Sequence, residues 1–350
     1  MRDLKYLAAF TLPISAAISL YFKGYWSFFT PFYAFVIIPV LEMLLPEDST
    51  NINDNERKVK KNNVIFDWLL YLNVPIVYGL LIYALWFVSS KSLTNSEIVG
   101  ITLSLGIVLG TNGINVAHEL GHRIKTKERY LAKLLLLPSL YMHFYIEHNF
   151  GHHVNAATHE DPATAKYNQT VYSFWITSVV RQYISAWKLQ RKLLLQNKAG
   201  LFSLKNDMFW YLIIQAMYLV LIWYIFGLTG MLFALGAAIV GFLLLETVNY
   251  IEHYGLLRKK LPSGRYERVK EIHSWNSNHV VGRIVLYELT RHSDHHYKSS
   301  KKYQILDYHD ISPQMPYGYP TSMVMSFLPV LWFKIMNPRI PAEMKTFQSS

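Results

Sequence analysis

Ile98–His122 reads IVGITLSLGIVLGTNGINVAHELGH, in which the twenty residues Ile98–Ala117 carry no charge and run straight into a histidine motif. About 20 apolar residues suffice to cross the hydrocarbon of a bilayer as a helix. His118 and His122 are four apart, so a continuing helix puts both imidazoles on one face. The stretch predicts a membrane helix whose end carries chemistry.

Five other apolar stretches read the same way: Tyr6–Phe22, Trp26–Leu45, Trp68–Val88, Met208–Phe226 and Gly230–Leu245, the last able to continue through Glu246–His253. Tyr6–Phe22 has no small-residue cleavage site and leads directly into the next stretch, so it reads as a retained span. Over the whole chain, 52% of residues are apolar and only 16% charged, which suits a membrane protein rather than one or two soluble domains. Basic residues collect on alternate loops: Arg57, Lys58, Lys60 and Lys61; Arg123, Lys125, Lys127 and Arg129; Arg258, Lys259 and Lys260. The intervening loops hold Lys23, Lys91, or nothing. The positive-inside rule then puts these basic loops and both termini in the cytoplasm. The expected fold is all-α: a polytopic protein with six transmembrane helices and a histidine-rich catalytic domain on the cytoplasmic side. Its expected parts are 1–122 (four spans and the first histidine motif), 123–207 (a catalytic segment), 208–253 (two spans) and 254–350 (a second catalytic segment). Leu131–Tyr145 and Met323–Met336 are apolar but short or flanked by basic and proline-rich sequence, and read as interfacial helices.

The net charge of +11 is accounted for by those loops, and no arginine/lysine–aromatic platform for nucleic acid accompanies it. The chain has no cysteine. Disulfides, thiolate zinc sites, cysteine-ligated haem and cysteine-held iron–sulfur clusters are therefore excluded. No G-x-G-x-x-G or P-loop pattern would seat a flavin or nucleotide either. Redox chemistry here would need electrons from a separate protein.

Four clusters hold nine of the 14 histidines. HELGH supplies His118 and His122; EHNFGHH, Glu147–His153, supplies His148, His152 and His153; NYIEHYG supplies His253; LTRHSDHHY, Leu289–Tyr297, supplies His292, His295 and His296. On a helix His292, His295 and His296 share one face. Adjacent histidines, which occur twice, point about 100° apart. Such a pair can serve two neighbouring metals, or one metal if the helix is distorted. Imidazole suits zinc, copper, iron and nickel, but more than four such ligands exceed tetrahedral zinc. Nine fit two ions with four or five each, and two metals plus outside electrons point to iron and dioxygen. HELGH alone matches the H-E-x-x-H zinc protease pattern, yet such a protease needs one more ligand, not seven. A metal transporter would hold its ligands near mid-membrane, whereas these lie at one side. Glu119, Glu147, Asn249, Glu252, His273 and Asp294 are candidates for fixing ligand orientation from a second layer. Of the remaining histidines, His309 reads as a surface residue, and His273 and His279 flank HSWNSNH.

HELGHR, EHNFGHHVNAATHEDPATA, NYIEHYGLLR, the RYERV…HSWNSNH stretch and LTRHSDHH together resemble the bacterial membrane alkane 1-monooxygenases, in their order and spacing, over roughly residues 1–340. The wider superfamily includes membrane fatty-acid desaturases and xylene monooxygenases; NYIEHYGL and HSWNSNH favour the alkane branch. The resemblance implies that His118, His122, His148, His152, His153, His253, His292, His295 and His296 ligate two non-haem iron ions. It implies terminal hydroxylation of n-alkanes drawn from membrane lipid, with O2 as co-substrate. The implied electron donor is a separate rubredoxin with its reductase, and the implied location is the bacterial inner membrane. It also implies that the second span gauges chain depth, with Ala34 small where a bulky residue would shorten the channel. Departures are modest: Phe150 stands where a basic residue is common, Arg123 for a frequent lysine, and Thr290 for a frequent glutamine. A desaturase, fatty-acyl hydroxylase or xylene-type enzyme is the nearest alternative.

Overall fold

A computed structural model describes residues 2–347. Among the described residues the regular elements are all helices, and the only extended pairings are three isolated bridges. Among the described residues five helices are long and apolar enough to cross a membrane: α1 (Asp3–Phe22), α2 (Gly24–Leu44), α3 (Ile65–Ser90), α4 (Asn95–Gly121) and, after the 26-residue α5 (Val171–Gln196), α6 (Asp207–His253). A short ligand-bearing helix, α7 (His292–Tyr297), follows.

The expected fifth and sixth spans lie in one 47-residue helical stretch, α6, interrupted only at Gly227 (φ 68°, ψ −172°). At 1.5 Å per residue 47 residues would make a rod of about 70 Å, over twice the hydrocarbon thickness. The halves Asp207–Phe226 and Leu228–His253 are each long enough alone. A glycine accepts the left-handed φ that turns the chain there, so the stretch is two helices that meet at Gly227, within the short Gly227–Thr229 connection where the sequence divides the fifth and sixth spans.

The chain forms two compact units. One comprises residues 1–37, 64–146 and 186–245; the other comprises 38–63, 147–185 and 246–350. In the first unit, α4 begins with a capping box: Glu97 N–H donates to Thr94 Oγ1 (3.2 Å), and Thr94 N–H donates to Glu97 Oε2 (2.8 Å). It packs closely on α6 through glycines. A Cβ on Gly106 would stand 2.4 Å from Val240 Cβ, and one on Gly241 3.1 Å from Leu109 Cβ. Between membrane helices such small residues permit backbone approach where lipid offers no hydrophobic driving force. The buried Asn112 amide donates to Asn73 Oδ1 (2.8 Å) and Ala9 O (3.2 Å), joining α4 to α3 and to the first helix. Near its C-terminal end α4 widens into a π turn, Leu109–Ile114, just ahead of HELGH.

The second unit is held by buried polar pairs. Arg283 bonds Glu288 (2.7 Å), and Arg258 donates to Val154 O (2.7 Å) and Glu267 O (3.1 Å). α6 stops at Gly255 (φ 69°), where any side chain would also strike Ile340. This stop leaves His253 at the helix end, 0% exposed.

Candidate metal centre

Seven of the predicted ligands belong to the second unit, and they fall into two groups. His152, His253, His292 and His296 turn their ring nitrogens onto one point, all within 4.8 Å of one another. His253 Nε2 lies 3.1 Å from His292 Nε2, His292 Nε2 2.9 Å from His296 Nε2, and His296 Nε2 3.2 Å from His152 Nε2. All four are buried. His148, His153 and His295 make the other group, with His148 and His153 Nε2 atoms 3.0 Å apart and the His153 and His295 ring centres 4.9 Å apart. In the first unit His118 and His122 face each other edge-on, ring centres 4.9 Å apart.

The adjacent pairs are therefore split. His152 joins one group and His153 the other; His296 and His295 divide likewise. Of the two possibilities the spacing left open, two groups served by neighbouring residues is the one present. The local backbone explains how. His148–His152 is a π turn, followed by one helical turn His153–Asn155. A π turn inserts an extra residue into the helix, a distortion frequent at functional sites, and it rotates His152 relative to His148. α7 presents His292 and His296 (i, i+4) to one group, whereas His295, which the i, i+3 spacing places on the same face, turns to the other group.

The donor set suits a metal. Four buried imidazoles converging by their Nε2 atoms bring lone pairs together, which a cation would stabilise. Burial, aided by the neighbouring rings of His292, His153, His152 and His253, holds His296 well below its ordinary pKa. The ring is thus neutral, the form a metal needs. His152 is oriented from behind: its Nδ1 lies 2.9 Å from Asp161 Oδ2. A carboxylate there fixes the proton on Nδ1 and leaves Nε2 free to ligate. Asp161 is itself held by Ala163 N–H (3.1 Å) and by the Thr164 hydroxyl. It was absent from the sequence-based candidates, although it lies within the EHNFGHHVNAATHEDPATA stretch.

The six orienting candidates divide by contact. Glu252 Oε2 lies 3.3 Å from His292 Nε2. His273 is fully buried, its Nδ1 accepting from Lys270 N–H (2.9 Å), and burial lowers it to about 4. Glu147 is buried and accepts from Ser185 on α5 (3.2 Å). Burial, with Asp161 and Glu246 nearby, pushes its carboxyl well above the ordinary range. Asn249 donates to Glu246 (3.4 Å), which also accepts from Ser178 (2.6 Å) and Gln182 (2.8 Å) of α5. Glu119 pairs with Arg123 (2.8 Å), which reaches Asp67 (3.2 Å). Asp294 takes up Lys301, His309 and the Asp307 N–H, each at 2.7–2.8 Å. His309, expected at the surface, is thus anchored and only partly exposed.

Residues 96–325 match the family model described as fatty acid desaturase. The chain is 36% identical over 325 residues to alkane 1-monooxygenase 2 of Alcanivorax borkumensis, covering 91% of this chain and 84% of that protein. It is 38% identical over 321 residues to alkane 1-monooxygenase 1 of Pseudomonas aeruginosa, with the same coverages, 91% and 84%. Similarity to the xylene/toluene monooxygenase hydroxylase component XylM of Pseudomonas putida is lower, 27% over 345 residues, covering 96% of this chain and 88% of that protein.

Proposed function

Because the chain belongs to the fatty acid desaturase family and, within it, to the alkane 1-monooxygenases, we propose that it inserts one oxygen atom of O2 into the terminal C–H bond of n-alkanes at two iron ions held by its histidines. The observation that carries this reading is the sorting of seven histidines into two groups of converging ring nitrogens. By motif, His118 and His122 are the remaining two of nine ligands. The overall reaction is R–CH3 + O2 + 2 electrons + 2 protons → R–CH2OH + H2O. Bound iron supplies the reduction of dioxygen and the attack on the C–H bond. The chain's own residues hold neutral imidazoles, fix the orientation of His152 through Asp161, and keep the surroundings of the four-histidine group dry. The lower similarity to XylM favours alkanes over xylenes as substrates.

Electrons come from outside in this reading, since the sequence has no cysteine for an iron–sulfur centre and no pattern that would seat a flavin or nicotinamide. A separate rubredoxin, recharged by its reductase, fits that need, and the basic segments around Arg57–Lys61, Arg123–Arg129 and Arg258–Lys260 would draw in an acidic carrier. Those segments and the histidines face the cytoplasm of the bacterial inner membrane in this reading. The alkane enters from the bilayer and lies among the helices with its methyl toward the metals.

Ala34 is buried in a π turn of α2, Tyr33–Ile37. Ala34→Trp should move the chain-length preference toward shorter alkanes; the activity profile across C6–C16 alkanes reads this, and an unchanged profile removes Ala34 from the channel. The reading as a whole is tested by metal analysis of the purified protein, alongside incubation with octane, reduced rubredoxin and air. Two irons per chain and 1-octanol are expected. Stoichiometric zinc without oxygen consumption would overturn it, and an alkene product would assign the scaffold to desaturation.

A further inference from the structure

The ligand helix α7 is only six residues long. A helix this short is not stable by its own backbone bonds, so the positions of His292, His295 and His296 must be set from outside. Asp294, at the centre of α7, has a fully buried side chain, and a buried carboxylate is retained only where partners satisfy it. Both of its oxygens are occupied: Lys301 Nζ bonds them at 2.8 and 2.7 Å, His309 Nε2 lies 2.8 Å from Oδ1, and Asp307 N–H donates to Oδ2 at 2.8 Å. Lys301 also bonds Asp307 (2.8 Å). Asp307 is in turn gripped by both Nη atoms of Arg57 (2.9 and 2.7 Å), whose Nη1 also donates to Ile305 O (3.0 Å). Arg291, immediately before α7, donates to Thr50 O (2.9 Å), in the segment after α2 that also carries Arg57, and to Leu306 O (2.8 Å).

We propose that the connector after α2 is the outer clamp of the metal centre, with Arg57 a positioning residue that sets the α7 ligands through Asp307, Lys301 and Asp294. Arg57 stands among the charges that the sequence explains by membrane orientation alone. Its planar fork on Asp307 is a geometry that lysine cannot copy, and orientation would be served equally by either residue. The inference rests on the histidines of α7 being iron ligands.

The test compares wild type, Arg57→Ala, Arg57→Lys and Lys133→Ala, all as full-length protein loaded with 57Fe. Lys133 forms a comparable ion pair with Asp207 (2.7 Å) in the other unit and serves as the control for loss of a salt bridge. The readouts are the Mössbauer spectrum and the rate of iron loss to a chelator. Arg57→Ala should change the spectra of both irons, since α7 gives His292 and His296 to one group and His295 to the other, and speed iron loss by roughly tenfold, the lower end for groups behind a ligand. Arg57→Lys should fall between it and wild type, and it carries the test if the alanine variant does not fold. Lys133→Ala should match wild type in both readouts. Unchanged spectra and release rates in both Arg57 variants would overturn the clamp while leaving the iron site intact. Equal changes in Lys133→Ala would reduce the effect to general destabilisation and also overturn it. A wild type that takes up no iron would overturn the metal centre itself.

Discussion

Replacing His253 with alanine should lower bound iron from two ions per chain to about one and cut octane hydroxylation by more than ~100-fold. The estimate starts from groups that merely support a ligand, whose loss typically costs about 10–100-fold; removing a ligand exceeds that. His253 is the only histidine of its sequence cluster and is 0% exposed, so bulk water does not reach its place. Its group has four members within 4.8 Å, and three imidazoles would remain. Iron content by elemental analysis, measured beside 1-octanol formation, checks the result. Full iron and full activity would remove His253 from the ligand set.

The second large effect is expected at Asp161. Asp161→Asn keeps size and shape, and its carbonyl oxygen can still accept the Ala163 N–H. What it loses is the negative charge behind His152 together with the acceptor at Oδ2, since the amide NH2 that takes its place cannot accept the Nδ1–H. That charge strengthens the Nδ1–H bond and raises the basicity of Nε2 toward a metal. Iron affinity should fall by about 10–100-fold, with hydroxylation falling in parallel at limiting iron. Excess iron should restore part of the activity, which separates weakened metal binding from misfolding. If iron affinity and activity both stay at wild-type values, Asp161 is a loop staple and nothing more.

Most of the helical framework was legible in the amino-acid sequence because membrane helices announce themselves by composition. Ile98–Ala117 carries no charge, and a helix of its length follows almost from counting. The histidines were legible for a related reason: spacings of three and four are meaningful only on a helix, and His118/His122 and His292/His296 use them as expected. The extent of the break in α6 was not legible. Gly227–Thr229 looks like any short loop, and only the structure confines the non-helical backbone to Gly227, with φ 68° and ψ −172°. The role of Asp161 was hidden because it lies nine residues beyond His152 in irregular backbone, where no periodicity links the two. Asp294 was misleading in the opposite way. It sits between ligands in sequence, yet a helix turns its side chain away from them, toward Lys301 and His309. Arg57 looked like one more loop charge, since a contact 250 residues distant leaves no local trace.

The most direct measurement is the fate of labelled oxygen. Purified protein with two irons, octane, reduced rubredoxin and 18O2 in unlabelled water should yield 1-octanol carrying one 18O atom per molecule, with the second 18O in water. Unlabelled alcohol, or octene in place of octanol, would contradict oxygen insertion at this histidine centre.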